Sequence, residues 1–313
     1  MGLTTKSISD LKIVFMGTPE FAVASLNALV NAGFNIIAVI TAPDKPAGRG
    51  MELQQSAVKK YAVEKGLSVL QPERLKNPEF LAQLQSLNAD LQIVVAFRML
   101  PEVVWSMPPM GTINVHGSLL PKYRGAAPIN WAIINGEKVT GVTTFKLKHE
   151  IDTGDILLQE KIVIRDDETA GELHDEMKEI GAALLVKTVQ GLCDTTLQER
   201  PQSTDDGPLL HASKIFTSTC EIDWNKTVEE VYNLIRGLSP YPTAFTFLDG
   251  KKLKIFSASK EQSTPKTAGS FETDKKTFLK FACADGYISV KEIQLEGKKK
   301  MTIEDFLRGY RFL

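Results

Sequence analysis

The strongest constraint on what this chain can fold into is an alternation near its start. Residues 11–16 read LKIVFM, a nearly continuous apolar run, as a strand buried on both faces requires. A turn follows, Gly17-Thr18-Pro19-Glu20, in which Pro19 suits the first turn of a helix and Thr18 its cap. Apolar residues at Phe21, Ala24, Leu26, Leu29 and Val30 then predict a helix over 19–32, closed by Gly33. Residues 34–41, FNIIAVIT, predict a second strand. Strand, helix and strand in this order call for a parallel sheet with right-handed crossovers. Two more helix–strand pairs are predicted, 53–65 with 67–70 and 78–87 with 91–97, and then a short helical turn at 101–107. The expected class is α/β, a Rossmann-like, mostly parallel sheet with helices on both faces. Such sheets bind ligands beyond the carboxyl ends of their strands.

Several chemistries are disfavoured at once. The first turn reads GTPEF and lacks the second and third glycines of a dinucleotide fingerprint, and no phosphate-cradling G-x-x-x-x-G-K-[ST] occurs. Cys193, Cys220 and Cys283 are odd in number and far apart, which fits reduced thiols rather than a disulfide frame. No His and Cys cluster has zinc spacing, so no metal is expected. No run of about 18 apolar residues is present to span a membrane. Residues 1–10 are polar and lack the apolar core of an export signal, so a cytoplasmic location is expected.

The chemistry is expected around Gly111–Pro121, GTINVHGSLLP. Residues 113–116 read as a short strand, so Asn114 and His116 share one face while Ile113 and Val115 share the other. An amide can donate to a developing oxyanion, and an imidazole can move a proton near neutrality. Gly117 lets a ligand approach the backbone, and Ser118–Pro121 is a loop stiffened by Pro121. The pair could equally serve only to satisfy backbone groups at a strand end. Strands are predicted over 140–147 and 157–164, joined by a turn carrying Asp152 and Asp155. A hairpin of this kind would bring Asp152 to the same end as His116, although aspartates also stabilise turns for purely local reasons. His149 beside that turn is expected to be exposed. Residues 42–51, with two prolines, two glycines, Lys45 and Arg49, read as a long loop at the ligand-binding end.

Beyond a long helix at 169–192, with Thr169 and Glu172 as a capping box, the composition changes. A catalytic domain is expected over 1–200, a linker over 201–208, and a small OB-like β-barrel over 209–313. The barrel is inferred from short strands at 211–223, 243–248, 253–257, 269–271, 278–282, 287–290 and 293–295, with one amphipathic helix at 228–237. Charge divides similarly. Up to Asp206 there are 20 Lys+Arg against 25 Asp+Glu, and after it 17 against 13, or −5 and +4. A basic second half suggests a polyanionic partner.

Four segments carry a resemblance: KIVFMGTPEFA, TAPDKPAGRG, INVHGSLLPKYRGAAPI and IDTGDIL, with the lysine-rich 298–300 and the RGYRFL tail fitting as well. Along nearly its whole length the chain resembles the methionyl-tRNA formyltransferases, within the formyltetrahydrofolate-dependent transferase superfamily. The resemblance implies formyl transfer from 10-formyltetrahydrofolate, without a metal, to methionyl-initiator-tRNA for translation initiation. It implies Asn114, His116 and Asp152 as the catalytic trio, with Asp152 favouring imidazolium and setting the ring's tautomer. It implies Ser118, Leu119, Leu120 and Pro121 at the folate site, Lys45 and Arg49 at the tRNA, and a barrel that holds the acceptor arm. A monomer is expected. Sister enzymes that formylate a sugar amine or glycinamide ribonucleotide would share the trio without needing the basic barrel. A folate hydrolase, with water in place of the amine, would share it too. A non-catalytic RNA-binding protein would keep the basic barrel but would not need the trio intact.

Overall fold

The apolar run at the start of the chain forms a strand, Ile13–Gly17, buried at every residue. It pairs in parallel with Ile36–Ile40 on one side and Leu91–Val95 on the other. Val69–Leu70 extends the sheet beyond Ile36–Ile40, and Thr112–His116 extends it beyond Leu91–Val95, both in parallel. Val139–Lys146 then runs antiparallel to Thr112–His116, with Ile156–Val163 outside it, completing seven strands. The computed structural model describes residues 7–47, 52–203 and 209–312, apart from the side chains of Ala47 and Glu52.

The helices follow their caps. Ser56 accepts from Lys59 N to start Ala57–Glu64, and Asn77 accepts from Glu79 N to start Pro78–Ser86. Thr169 and Glu172 form the expected box, Thr169 N donating to Glu172 Oε2 over 2.8 Å, at the head of Ala170–Cys193. One face of the sheet buries Val14, Met16, Ala38, Ile40 and Val94 against Phe80 and Leu84. The other face carries Val115 and Val142, which lie against Gly181 of the long helix. Gly17 is needed where the first helix, Glu20–Asn31, closes on its strand: a Cβ there would sit 2.6 Å from Ala22 Cβ. Truncating a buried aromatic such as Phe15, fully enclosed here, costs about 3–5 kcal/mol.

Three local expectations change. Residues 42–51 are not simply a loop, because Lys45–Ala47 pairs antiparallel with Glu52–Gln54. Two prolines and flanking glycines hide that pairing from a reading by composition. The segment 211–223 is not one strand: only His211–Ala212 is a strand, Thr217–Cys220 is a 3-10 turn, and Glu221 makes an isolated bridge to Phe245. Its run of hydroxyl side chains competes for backbone hydrogen bonds and favours the turn. The separate strands expected at 287–290 and 293–295 are one, Tyr287–Leu295.

Packing divides the chain in a way no single cut at 201–208 describes. One compact unit comprises residues 1–124, 141–162 and 175–211, and the other 125–140, 163–174 and 212–313. The second unit contains an antiparallel sheet curled into a half-barrel. Its strands run Ala244–Leu248, Lys251–Glu261, Tyr287–Leu295, Leu279–Ala282 and Phe271–Thr273, with Met301–Thr302 also on Tyr287–Leu295. Register shifts between Ile255 and Ala258 help it bend. The buried Arg236 of the helix Val228–Gly237 explains why 163–174 belongs here. Its guanidinium donates to Glu168 O (3.1 Å), Arg165 O (3.4 Å) and Asn233 Oδ1 (2.8 Å), and burial pulls its pKa down. Asn130 Nδ2 likewise donates to Gly237 O over 2.7 Å, bringing 125–140 along.

Candidate active site

Thr112–His116 ends the parallel run of the sheet, and Asn114 is its one half-buried residue. Asn114 pairs with Val94 in register, so it continues the face that Val94 occupies. Among the described residues its amide has no hydrogen-bond partner. His116 is 7% exposed, and its ring stands edge-on to Phe145. Nε2 lies 2.9 Å from Tyr123 O, and Nδ1 lies 3.8 Å from Asp152 Oδ2. A carbonyl only accepts, so Nε2 carries a hydrogen. The tautomer is therefore set by Tyr123, a residue the sequence did not single out, and Asp152 stands at ion-pair distance from the other nitrogen.

The two aspartates of the turn divide their work. Asp155 is held by Lys148 Nζ at 2.8 Å, while Asp152 faces the imidazole. Asp152 takes φ +55, a left-handed backbone that aspartate tolerates better than most residues. Gly154 is required beside it, since a Cβ there would fall 1.5 Å from Lys146 O. Gln202, placed in the expected linker, donates to both Asp152 O and Gly154 O. His149 is exposed and pairs with Glu102 over 3.2 Å, away from the trio.

The segment after His116 is fastened from the neighbouring strand. Thr143 Oγ1 donates to Ser118 O (2.6 Å) and accepts from Leu120 N (3.1 Å) and Gln159 Nε2 (3.0 Å). Ser118 is fully buried, and its hydroxyl donates to Lys122 O. Leu120 packs with Phe145 and Ile156. Of the four residues assigned to folate, only Leu119 and Pro121 keep partly exposed side chains; Leu120–Pro121 is a cis peptide. Lys45 is exposed on its short strand, and Arg49 lies outside the described residues. Among the described residues, no three His, Cys, Asp or Glu side chains converge to hold a metal ion.

In the second unit many cations are already paired: Lys260 with Glu229, Lys266 with Glu272, Lys280 with Glu261 and Lys300 with Glu292, at 2.6–3.0 Å. Lys298 and Lys299 are exposed and make no ion pair among the described residues.

Comparison with known proteins settles the family. A formyl transferase model matches residues 11–189, and a formyl transferase C-terminal domain model matches 214–311. Methionyl-tRNA formyltransferase of Parabacteroides distasonis is 54% identical over 314 residues, covering 96% of each chain. This chain belongs to the methionyl-tRNA formyltransferase family. The Bacteroides fragilis relative of that name is 51% identical, covering 96% of this chain and 95% of its own. Two solved structures have the same fold at lower identity. HypX from Aquifex aeolicus, in complex with tetrahydrofolic acid, has a TM-score of 0.66 at 17% identity over 97% of this chain and 49% of that one. The N-formyltransferase of Helicobacter canadensis, with folinic acid and dTDP-3-aminofucose, has a TM-score of 0.67 at 21% identity over 93% and 100%. Among the described residues, no helix is long and apolar enough to cross a membrane.

Proposed function

We propose that this protein transfers the formyl group of 10-formyltetrahydrofolate to the α-amino group of methionyl-initiator-tRNA, giving N-formylmethionyl-tRNA for translation initiation. The observation that carries the reading is full-length identity of 54% to a methionyl-tRNA formyltransferase. The sugar-amine enzymes are likened to it by fold alone.

In this reading the methionyl amine attacks the formyl carbon, a tetrahedral oxyanion forms, and the bond from that carbon to folate N10 breaks. Asn114, whose amide is otherwise unpartnered among the described residues, donates to the oxyanion. One proton must leave the amine and one must reach N10. His116 Nδ1 carries it, because Nε2 is committed to Tyr123 O. Asp152, 3.8 Å away, balances the imidazolium that forms. A free α-amine has a pKa of about 7.7–8.0, so deprotonation is a small part of the barrier and positioning a large part. The backbone of Ser118–Pro121, with the Leu119 and Pro121 side chains, supports the folate. Lys45 and Arg49 meet the acceptor end, and the basic C-terminal unit holds the acceptor arm by charge. The enzyme acts as a monomer in the cytoplasm.

The test is competition. With 10-formyltetrahydrofolate and equal amounts of methionyl-tRNA, free methionine and dTDP-3-aminofucose, formyl should appear on methionyl-tRNA. Formyl on the sugar, or release of free formate at the same rate without any amine, would overturn the reading.

A further inference from the structure

We propose that Gln202 is a positioning residue for the His116–Asp152 pair, acting through the backbone of the Asp152 turn. The inference rests on the catalytic reading of that pair given above. Gln202 lies in a stretch whose composition reads as linker, yet its side chain ties two carbonyls of the turn. Its Nε2 donates to Asp152 O over 2.8 Å and to Gly154 O over 2.7 Å. A carboxamide nitrogen has two hydrogens, so both bonds are made at once.

The amide's orientation is fixed by Arg124, whose Nε and one terminal nitrogen donate to Gln202 Oε1 over 3.1 and 2.7 Å. A guanidinium only donates, so the oxygen of Gln202 must face Arg124 and the nitrogen must face the turn. Arg124 directly follows Tyr123, and Tyr123 O takes His116 Nε2 at 2.9 Å. Both groups that address the imidazole are therefore tied to one amide. The Tyr123 carbonyl is tied through the next residue's guanidinium, and the Asp152 carboxylate through its own backbone.

Both anchors also need holding. Asp152 has φ +55 and Tyr123 has φ +59, backbone conformations that persist in non-glycine residues only when the surroundings over-determine them. Without the amide, the turn loses the two bonds that flank Asp152, and the carboxylate loses its fixed distance from Nδ1.

The experiment uses the full chain with methionyl-tRNA and 10-formyltetrahydrofolate. Gln202→Glu is nearly isosteric. It keeps an acceptor for Arg124 but points an oxygen at two carbonyls. A displacement near 1 Å at a reacting group can cost about 100-fold, so kcat should fall about 10- to 100-fold, with KM for both substrates within about twofold. In an Asp152→Ala background the same substitution should cost no more than about twofold further, because its route runs through Asp152. Arg124→Lys, which loses the fork onto Gln202, should lower kcat in the same direction with KM unchanged. It also serves as the test if Gln202→Glu does not fold. Wild-type kcat in both variants, a rise in KM with kcat unchanged, or an equal loss in the Asp152→Ala background overturns the proposal. Wild-type turnover in Asp152→Ala alone would instead remove the catalytic reading, and this proposal with it.

Discussion

Asn114 and His116 sit two residues apart on one strand, and the different ways they are held fit the different roles proposed for them. His116 is buried and bound at Nε2, so only Nδ1 is left for chemistry. Asn114 is half-buried and unpartnered among the described residues, which leaves its amide open for the proposed oxyanion contact. Asn114→Ala should lower kcat by about 10²–10³ with KM for both substrates little changed, as steady-state kinetics would show. A second residue-scale prediction concerns Cys283, whose thiol burial pushes up to about 12. In the unfolded chain it titrates near 8.5, so the stability this proton contributes is complete below about pH 8.5 and is lost as pH rises toward the folded value. Unfolding midpoints should therefore fall from pH 8.5 upward, and less steeply in Cys283→Ala; identical slopes would contradict this. The face shared by Asn114 and His116 was legible from strand alternation alone. The role of Tyr123 was not, since a main-chain carbonyl leaves no signature in its own side chain.

At the scale of elements, the strand Val139–Lys146 does more than close the sheet. Thr143, opposite His116 in register, uses one hydroxyl for Ser118 O, Leu120 N and Gln159 Nε2. Thr143→Val keeps the shape but leaves the buried Leu120 N–H unpaired, a cost of about 1–3 kcal/mol. The expected outcome is a lower unfolding midpoint and a raised KM for 10-formyltetrahydrofolate, with KM for methionyl-tRNA unchanged; equal rises in both would refute the placement. The parallel strands and their helices were legible because apolar runs and glycines agree at 11–41, although Pro19 and not the expected Thr18 stands at the cap of the first helix, with no side-chain hydrogen bond there. The ribbon at Lys45–Ala47 and Glu52–Gln54 was not, because Pro46 and the glycines read as loop. Residues 201–203 misled for a related reason: composition reports that a stretch is polar, and cannot report that Gln202 has two carbonyls to meet.

For the whole molecule, the split of charge follows from the sequence, while the packing of 125–140 and 163–174 with 212–313 leaves no mark in composition. Arg236 reaches Arg165 and Glu168, far apart from it in the chain, and only a fold can pair them. The excess of +4 already subtracts the carboxylates, and the lysines behind it are not all open to a partner, since Lys226, Lys260, Lys266, Lys280 and Lys300 each have a carboxylate partner. Lys298 and Lys299 are among the exposed lysines with no ion pair among the described residues, and in the proposed reading they meet phosphate. Replacing both with Ala should raise KM for methionyl-tRNA and flatten its salt dependence by about one unit of log–log slope per lost contact, leaving KM for the folate unchanged. An unaltered salt slope would place tRNA binding elsewhere. The central claim is that the imidazole at 116 moves the proton while formyl passes to methionyl-tRNA. Single-turnover transfer from 10-formyltetrahydrofolate, with enzyme in excess over methionyl-tRNA, tests it most directly. His116→Ala should form formylmethionyl-tRNA at least about 100-fold more slowly than the unaltered protein while binding the tRNA as tightly. Transfer at the unaltered rate by that variant would contradict the account.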